Sequence, residues 1–193
     1  MAEQLAGAGD LTLLKSKGGG FSLIEVMVAL VILVIGLIGI FNLHIVAKRS
    51  SFESFQQTQA AYLASDILSR MKSNRTELAD YSGTYGGLAA GETAPTSCDL
   101  VGAACNSAAM RVWDLYQWRW TFSGGAEVEN GKSVGGLDTT TACIVVNDRN
   151  VDIVIAWRGI REMAGKVSST SDCGSALGNR RRLFELASVI ERN

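Results

Sequence analysis

The stretch GGGFSLIEVMVALVILV, residues 18–34, sets the architecture of this chain. One carboxylate, Glu25, lies near the start of an apolar run that has no polar side chain from Val26 to Phe41. With its flanking residues the run covers 21–46, which makes a helix about 39 Å long, against about 30 Å for the core of a bilayer. An ionised carboxylate in hydrocarbon costs ~3 kcal/mol on insertion scales. The sequence therefore predicts a membrane span that carries one charge in need of a partner.

Small residues lie on the wrong side of this run for an ordinary secretory signal. In such a signal the cleavage site follows the apolar region, whereas glycines 18–20 precede it. A cut there leaves the apolar segment as the new N-terminus. Basic residues flank the run on both sides, at Lys15 and Lys17 and again at Lys48 and Arg49, so the positive-inside rule does not fix its orientation.

Four cysteines lie beyond the run, at Cys98, Cys105, Cys143 and Cys173. An even number in a small, glycine-rich region indicates disulfides made in an oxidising compartment. Buried free thiols are the alternative, and the absence of a CxxC pair makes a zinc site a poor one. We therefore expect the N-terminus in the cytoplasm and the bulk of the chain outside. Three pairings are open; loop closure favours 98–105 with 143–173, which is the pairing we expect.

A single long helix is predicted from about Phe21 to about Asn74, because neither a turn signal nor a proline interrupts this stretch. At about 80 Å it is unusually long for a globular helix. Its first half suits lipid, and its second half is amphipathic and needs a domain to cover its apolar stripe. The residues expected to lie near that one face are Phe52, Phe55, Tyr62, Leu63, Ile67 and Met71.

The chain after the long helix continues with a loop and a second helix. Residues 75–105 are rich in glycine, serine and threonine and are expected to form the loop. The second helix begins at Asn106 or Ser107, either of which can cap it. Its aromatic face is expected to enter the core, and that face consists of Ala109, Trp113, Tyr116 and Trp120.

β-Strands complete the head. Residues 141–146 and 151–157 flank the turn sequence NDRN and predict a β-hairpin. The segment 181–190 ends the chain with Phe184, Leu186 and Ile190 on one face. The fold class is therefore α+β, with an antiparallel sheet of three or four strands laid over the second half of the long helix.

The start of the chain resembles the class III signal of type IV prepilins and of the related type II secretion pseudopilins. Their motif is a glycine, a phenylalanine directly after it and a glutamate at the fifth position of the mature chain, followed by an apolar helix. Here these residues are Gly20, Phe21 and Glu25. The remainder, including QQTQAAYLASDILSRMKSN, WDLYQWRW and the C-terminal strands, resembles the minor pilins of type IV pili.

This resemblance implies the type IV pilin fold and its division of the chain. Residues 1–20 are then a leader peptide, and 21–46 form a transmembrane segment that later lies in the filament core. Residues 47–193 form a periplasmic head, which includes the amphipathic second half of the helix. The chain crosses the inner membrane once and afterwards reaches the pilus and the cell surface.

Partners and processing are implied in the same way. Prepilin peptidase cuts after Gly20 and methylates the new amino group of Phe21. The inner-membrane assembly platform then brings the chain together with other minor pilins and the major pilin. The chain helps to prime pilus assembly, lies at the tip, and supports twitching motility and adhesion.

Glu25 is the residue expected to act in subunit assembly within the membrane. A cut after Gly20 gives Phe21 a free amine about one helical turn away, so a pair within one chain is open. The resemblance instead implies the Phe21 amine of a neighbouring subunit, which pairs at one stagger and selects the register. A glutamate that reaches the membrane edge is the bland alternative.

Two other functions remain as alternatives. A type II secretion pseudopilin shares the leader and the long helix. A binding module for DNA or surfaces at the pilus tip rests on Trp118, Arg119 and the arginines 180–182. Aromatic residues at helical spacing more often form a core, and the net charge of -1 gives no global attraction to nucleic acid. Nucleic acid is therefore not expected as a partner.

Catalytic and metal-binding sets are not expected either. His44 is the only histidine, and no nucleophile–base pair can be built around it. Residues 148–152 spell DxNxD but lack the glycine and glutamate of a calcium loop, so they indicate a hairpin turn. The sequence predicts no enzyme, no metal and no cofactor.

Overall fold

A computed structural model describes residues 19–89, 91–100, 102–125, 127–130, 132–133, 135–164 and 171–191. The chain divides into two compact units, Met1–Ile45 and Val46–Asn193. Most of the expected leader, residues 1–18, lies outside the described part. The longest element, helix α1 (Leu23–Ser73), begins in the first unit and ends in the second.

The described part of the first unit contains the apolar start of α1. All of its described residues, 19–45, are exposed. The most apolar 18-residue window has a mean hydropathy of 3.0 and no buried share. By length and composition, α1 is the one helix in the described ranges that is able to cross a membrane.

The second unit is built on the remaining turns of α1, which bury one side. The buried residues of this side are Gln56, Ala60, Leu63, Ala64, Ile67, Leu68 and Met71. The predicted buried face of α1 is wrong in part. It included Phe52, Phe55 and Tyr62, which are 48%, 55% and 64% exposed.

A four-stranded antiparallel sheet covers this side of α1. Its strands are β1 (Gly83–Gly86), β4 (Thr141–Asn147), β5 (Asn150–Arg158) and β6 (Arg181–Val189), in the order β1-β4-β5-β6. A second, minor pair joins β2 (Val128–Glu129) to β3 (Lys132–Ser133). The predicted antiparallel sheet over the long helix is confirmed.

The predicted hairpin is confirmed by β4 and β5. Asn147 pairs with Asn150 across the turn, and Asp148 adopts the left-handed conformation with φ 56° that a tight hairpin turn requires. Alternation along β5 buries Val151, Ile153 and Ile155 against the helix. Residues 148–152 therefore form the hairpin turn and the start of β5, as the sequence predicts.

The loop expected over 75–105 is wrong in its first part. Residues Arg75–Tyr81 form a 3₁₀ helix that buries Leu78 and Tyr81, and β1 follows at once. β1 pairs with β4 from Gly83 to Gly86. A four-residue strand with glycine at both ends lacks the β-branched pattern that sequence analysis needs. Its pairing partner, not its own sequence, makes it a strand.

The second helix, α2 (Ser107–Phe122), has the predicted cap but a different buried face. The side-chain oxygen of Asn106 accepts a hydrogen bond from the backbone N–H of Ala109 at 2.8 Å, which confirms the cap. The prediction that Trp113, Tyr116 and Trp120 form the core is wrong. The buried residues are Asp114, Leu115, Trp118 and Phe122, whereas Trp120 is 43% exposed.

Trp118 joins the layers of the head. Its indole N–H donates to the carbonyl of Leu63 on α1 at 2.8 Å. Its ring meets Phe122 and Tyr85 edge to face, with centroids 4.9 and 5.9 Å apart. It is fully buried. One side chain therefore contacts α1, α2 and β1.

Replacement of Trp118 separates the observed core from the predicted one. Trp118→Phe removes the indole donor and leaves a cavity, and we expect it to lower the free energy of unfolding by about 2 kcal/mol. The matched change Trp120→Phe, on the exposed side of α2, should alter it by less than about 0.5 kcal/mol. Urea unfolding of fragment 46–193 measures both. Equal losses would contradict the orientation of α2.

Candidate functional site

The described residues directly before α1, 19–22, are exposed to solvent. Gly19 and Gly20 are exposed, and a Cβ on Gly20 would meet no atom of the chain within 4 Å. Phe21 is 83% exposed. Among the residues that the structure describes, no packing contact accounts for glycine at position 20 or for an aromatic residue at 21.

Glu25 lies in the first turn of α1. The carbonyl of Ser22 accepts hydrogen bonds from the backbone N–H groups of Glu25 and Val26, at 3.0 and 3.3 Å, and so begins the helix. A carboxylate is favoured at this positive end of the helix dipole. Glu25 is exposed and makes no ion pair with any residue that the structure describes. The structure thus brings Gly20, Phe21 and Glu25 together in one short exposed segment.

The four cysteines form two disulfides within the head. Cys98 bonds to Cys105, and Cys143 bonds to Cys173, with sequence separations of 7 and 30. This is the pairing that loop closure favours. The second bond ties β4 to the segment that precedes β6, where Cys173 is buried. It therefore restrains the long connection between the last two strands.

A buried polar network, which the sequence analysis missed, joins the helices of the head. Asp114 accepts from the Tyr81 hydroxyl at 2.8 Å and from the Arg70 guanidinium at 3.1 Å. Arg70 also bonds to Asp66 and Gln117. Burial raises the pKa of Tyr81 well above its usual range, and the bond to Asp114 adds to the shift. The signal in the sequence was Asp114 itself, a charged residue on the side of α2 that carries Leu115 and Trp118. A charge on a buried side of a helix needs a partner.

This network performs a structural task. Every charged member has an oppositely charged neighbour, so the buried Asp114 does not remain uncompensated. No group of three or more metal-ligating side chains that could hold an ion occurs within the described ranges. The bonds of Arg70 and Tyr81 to α2 hold this helix against α1 and the 3₁₀ helix, and the bond to Asp66 within α1 orients Arg70.

The residues proposed for nucleic-acid binding are placed in ways that remove that role. Trp118 is fully buried, so stacking on a base, as predicted for the alternative function, is wrong. Arg119 donates to both carboxylate oxygens of Glu92, at 2.6 and 3.0 Å. A backbone N–H and this guanidinium lower the pKa of Glu92. Arg119 therefore anchors a loop to α2.

The three arginines at the start of β6, Arg180 just before it and Arg181 and Arg182 within it, also have partners. Arg180 pairs with Glu162 at 3.4 Å, and Arg181 donates to the carbonyls of Ser171 and Cys173. Arg182 lies 3.5 Å from Glu53. These contacts hold the start of an edge strand and do not form an open basic patch.

Residues 15–41 match the family model described as the prokaryotic N-terminal methylation motif. The match contains Gly20, Phe21 and Glu25 and most of the apolar run, and it supports a type IV pilin or prepilin-like protein. The architecture agrees with this class, since a long N-terminal helix followed by a four-stranded antiparallel sheet and a short helix is type IV pilin-like. Neither a curated protein nor a solved structure matches the chain.

The motif also implies processing by a prepilin peptidase and assembly with other pilins. Together with the long apolar helix, it indicates a membrane-anchored pilin. The match does not extend into the head.

The two disulfides are expected to differ in their effect on stability. In the chain-entropy account, the bond closing the longer loop contributes more, about 4 kcal/mol for Cys143–Cys173 against about 2 kcal/mol for Cys98–Cys105. We expect Cys143→Ser with Cys173→Ser to lower the urea midpoint of fragment 46–193 more than Cys98→Ser with Cys105→Ser. The reduced wild-type fragment, with neither bond, is the control. The reverse order would contradict the claim that the bond closing the longer loop contributes more to stability.

Proposed function

We propose that this chain is a minor pilin of the type IV pilus, resembling PilV. The observation that carries the proposal is the methylation motif over 15–41, which leads directly into an exposed apolar helix. The head supports it, because its sheet covers the second half of α1 as in a pilin. In this role the chain is a structural subunit and not an enzyme.

The exposed segment before α1 suits a processing enzyme. We propose that prepilin peptidase cuts after Gly20 on the cytoplasmic face and methylates the amine of Phe21. Glycine has no Cβ, so the backbone there can extend into a protease groove. The products are a leader of 20 residues and a mature chain that begins with Phe21. The head, with its two disulfides, then lies in the oxidising periplasm.

Assembly gives the apolar face of α1 its partner. Residues 21–46 leave lipid for contacts with the helices of other minor and major pilins at the inner-membrane assembly platform. Phe52, Phe55 and Tyr62 on the head part of α1 are also exposed, so they can contact those helices. We propose that the chain primes the filament from a position at the tip and so supports twitching motility and adhesion at the cell surface.

A type II secretion pseudopilin is the second candidate, since the same motif and helix occur in both classes. The process that fails without the chain separates them: piliation and twitching for a pilus subunit, protein secretion for a pseudopilin. A DNA- or surface-binding role at the tip is weaker, because Trp118 is buried and Arg119 is paired.

Cleavage after Gly20 is tested by the intact mass and N-terminal sequence of the protein from cells. We expect a chain that begins at methylated Phe21. Gly20→Leu should block the cut, because its side chain occupies the protease groove. Gly36→Leu is the matched control, since a Cβ at either glycine meets nothing within 4 Å, and it should be cut normally. A wild-type chain that begins at Met1 or Ala2 would contradict the proposal.

Glu25 is tested by replacement with valine. We expect Glu25→Val to be inserted and cleaved like wild type but to be depleted in sheared pili, because the carboxylate that pairs with a neighbouring amine is lost. Asn42→Val, which removes a neutral polar side chain from the same exposed helix, should assemble normally. Immunoblots of membrane and pilus fractions give the ratio. Normal incorporation of Glu25→Val would contradict the proposal that Glu25 sets the register between neighbouring subunits.

A further inference from the structure

We draw no further inference here: the strongest candidate, the cleft of about 580 Å³ on the side of the sheet away from α1, whose lining includes Asp152, Asp172 and Glu185, carries none, because it is a cluster of acidic side chains on an exposed sheet face, and in the described part of the chain no buried polar atom without a hydrogen-bond partner lines it and nothing shows what would cover it.

Discussion

The apolar half of α1 imposes the constraint on which the rest of this protein depends, because no residue in the described part of the chain covers it. Its most apolar window has no buried share. Each Leu, Ile or Val left in water forgoes about 1.5–3 kcal/mol relative to burial, and this run consists almost entirely of such residues. It must therefore be surrounded by lipid or by the helices of other chains. A membrane anchor that later joins a filament meets that requirement in two successive environments.

The head solves a separate packing problem. It has its own core, in which Trp118 joins two helices and the sheet. The network around Asp114 satisfies the charges that this packing buries. The core residues that the structure describes in the head all belong to unit Val46–Asn193.

Local signals explain which parts of the fold sequence could predict. The long helix, the Asn106 cap and the hairpin at Asp148 each depend on neighbouring residues, and all three are confirmed. The buried face of α2 depends on what lies opposite. Its largest aromatics suggested one face, yet the face with Asp114 is inside, because Tyr81 and Arg70 supply partners that no local pattern reveals.

The candidate site divides in the same way. The spacing of Gly20, Phe21 and Glu25 is local, so the motif can be recognised in the sequence. The roles of Trp118 and Arg119 depend on tertiary contacts. The sequence WRW alone does not show that the indole is buried or that the guanidinium bonds to Glu92. The GTYG strand likewise exists because β4 lies beside it.

Magnitudes decide what Glu25 contributes. A carboxylate in the first turn of a helix gains about 0.3–1 kcal/mol from the helix dipole. In hydrocarbon the same group costs ~3 kcal/mol. The gain from the helix dipole is therefore smaller than the cost in hydrocarbon, and the cation that the proposed cleavage creates would offset the difference. Cleavage would supply one such cation on every subunit. A pair between Glu25 and the Phe21 amine of the same chain can form at any axial position of that chain. A pair with the amine of a neighbouring subunit forms at one stagger only. Only the pair between subunits would therefore define the register of the filament.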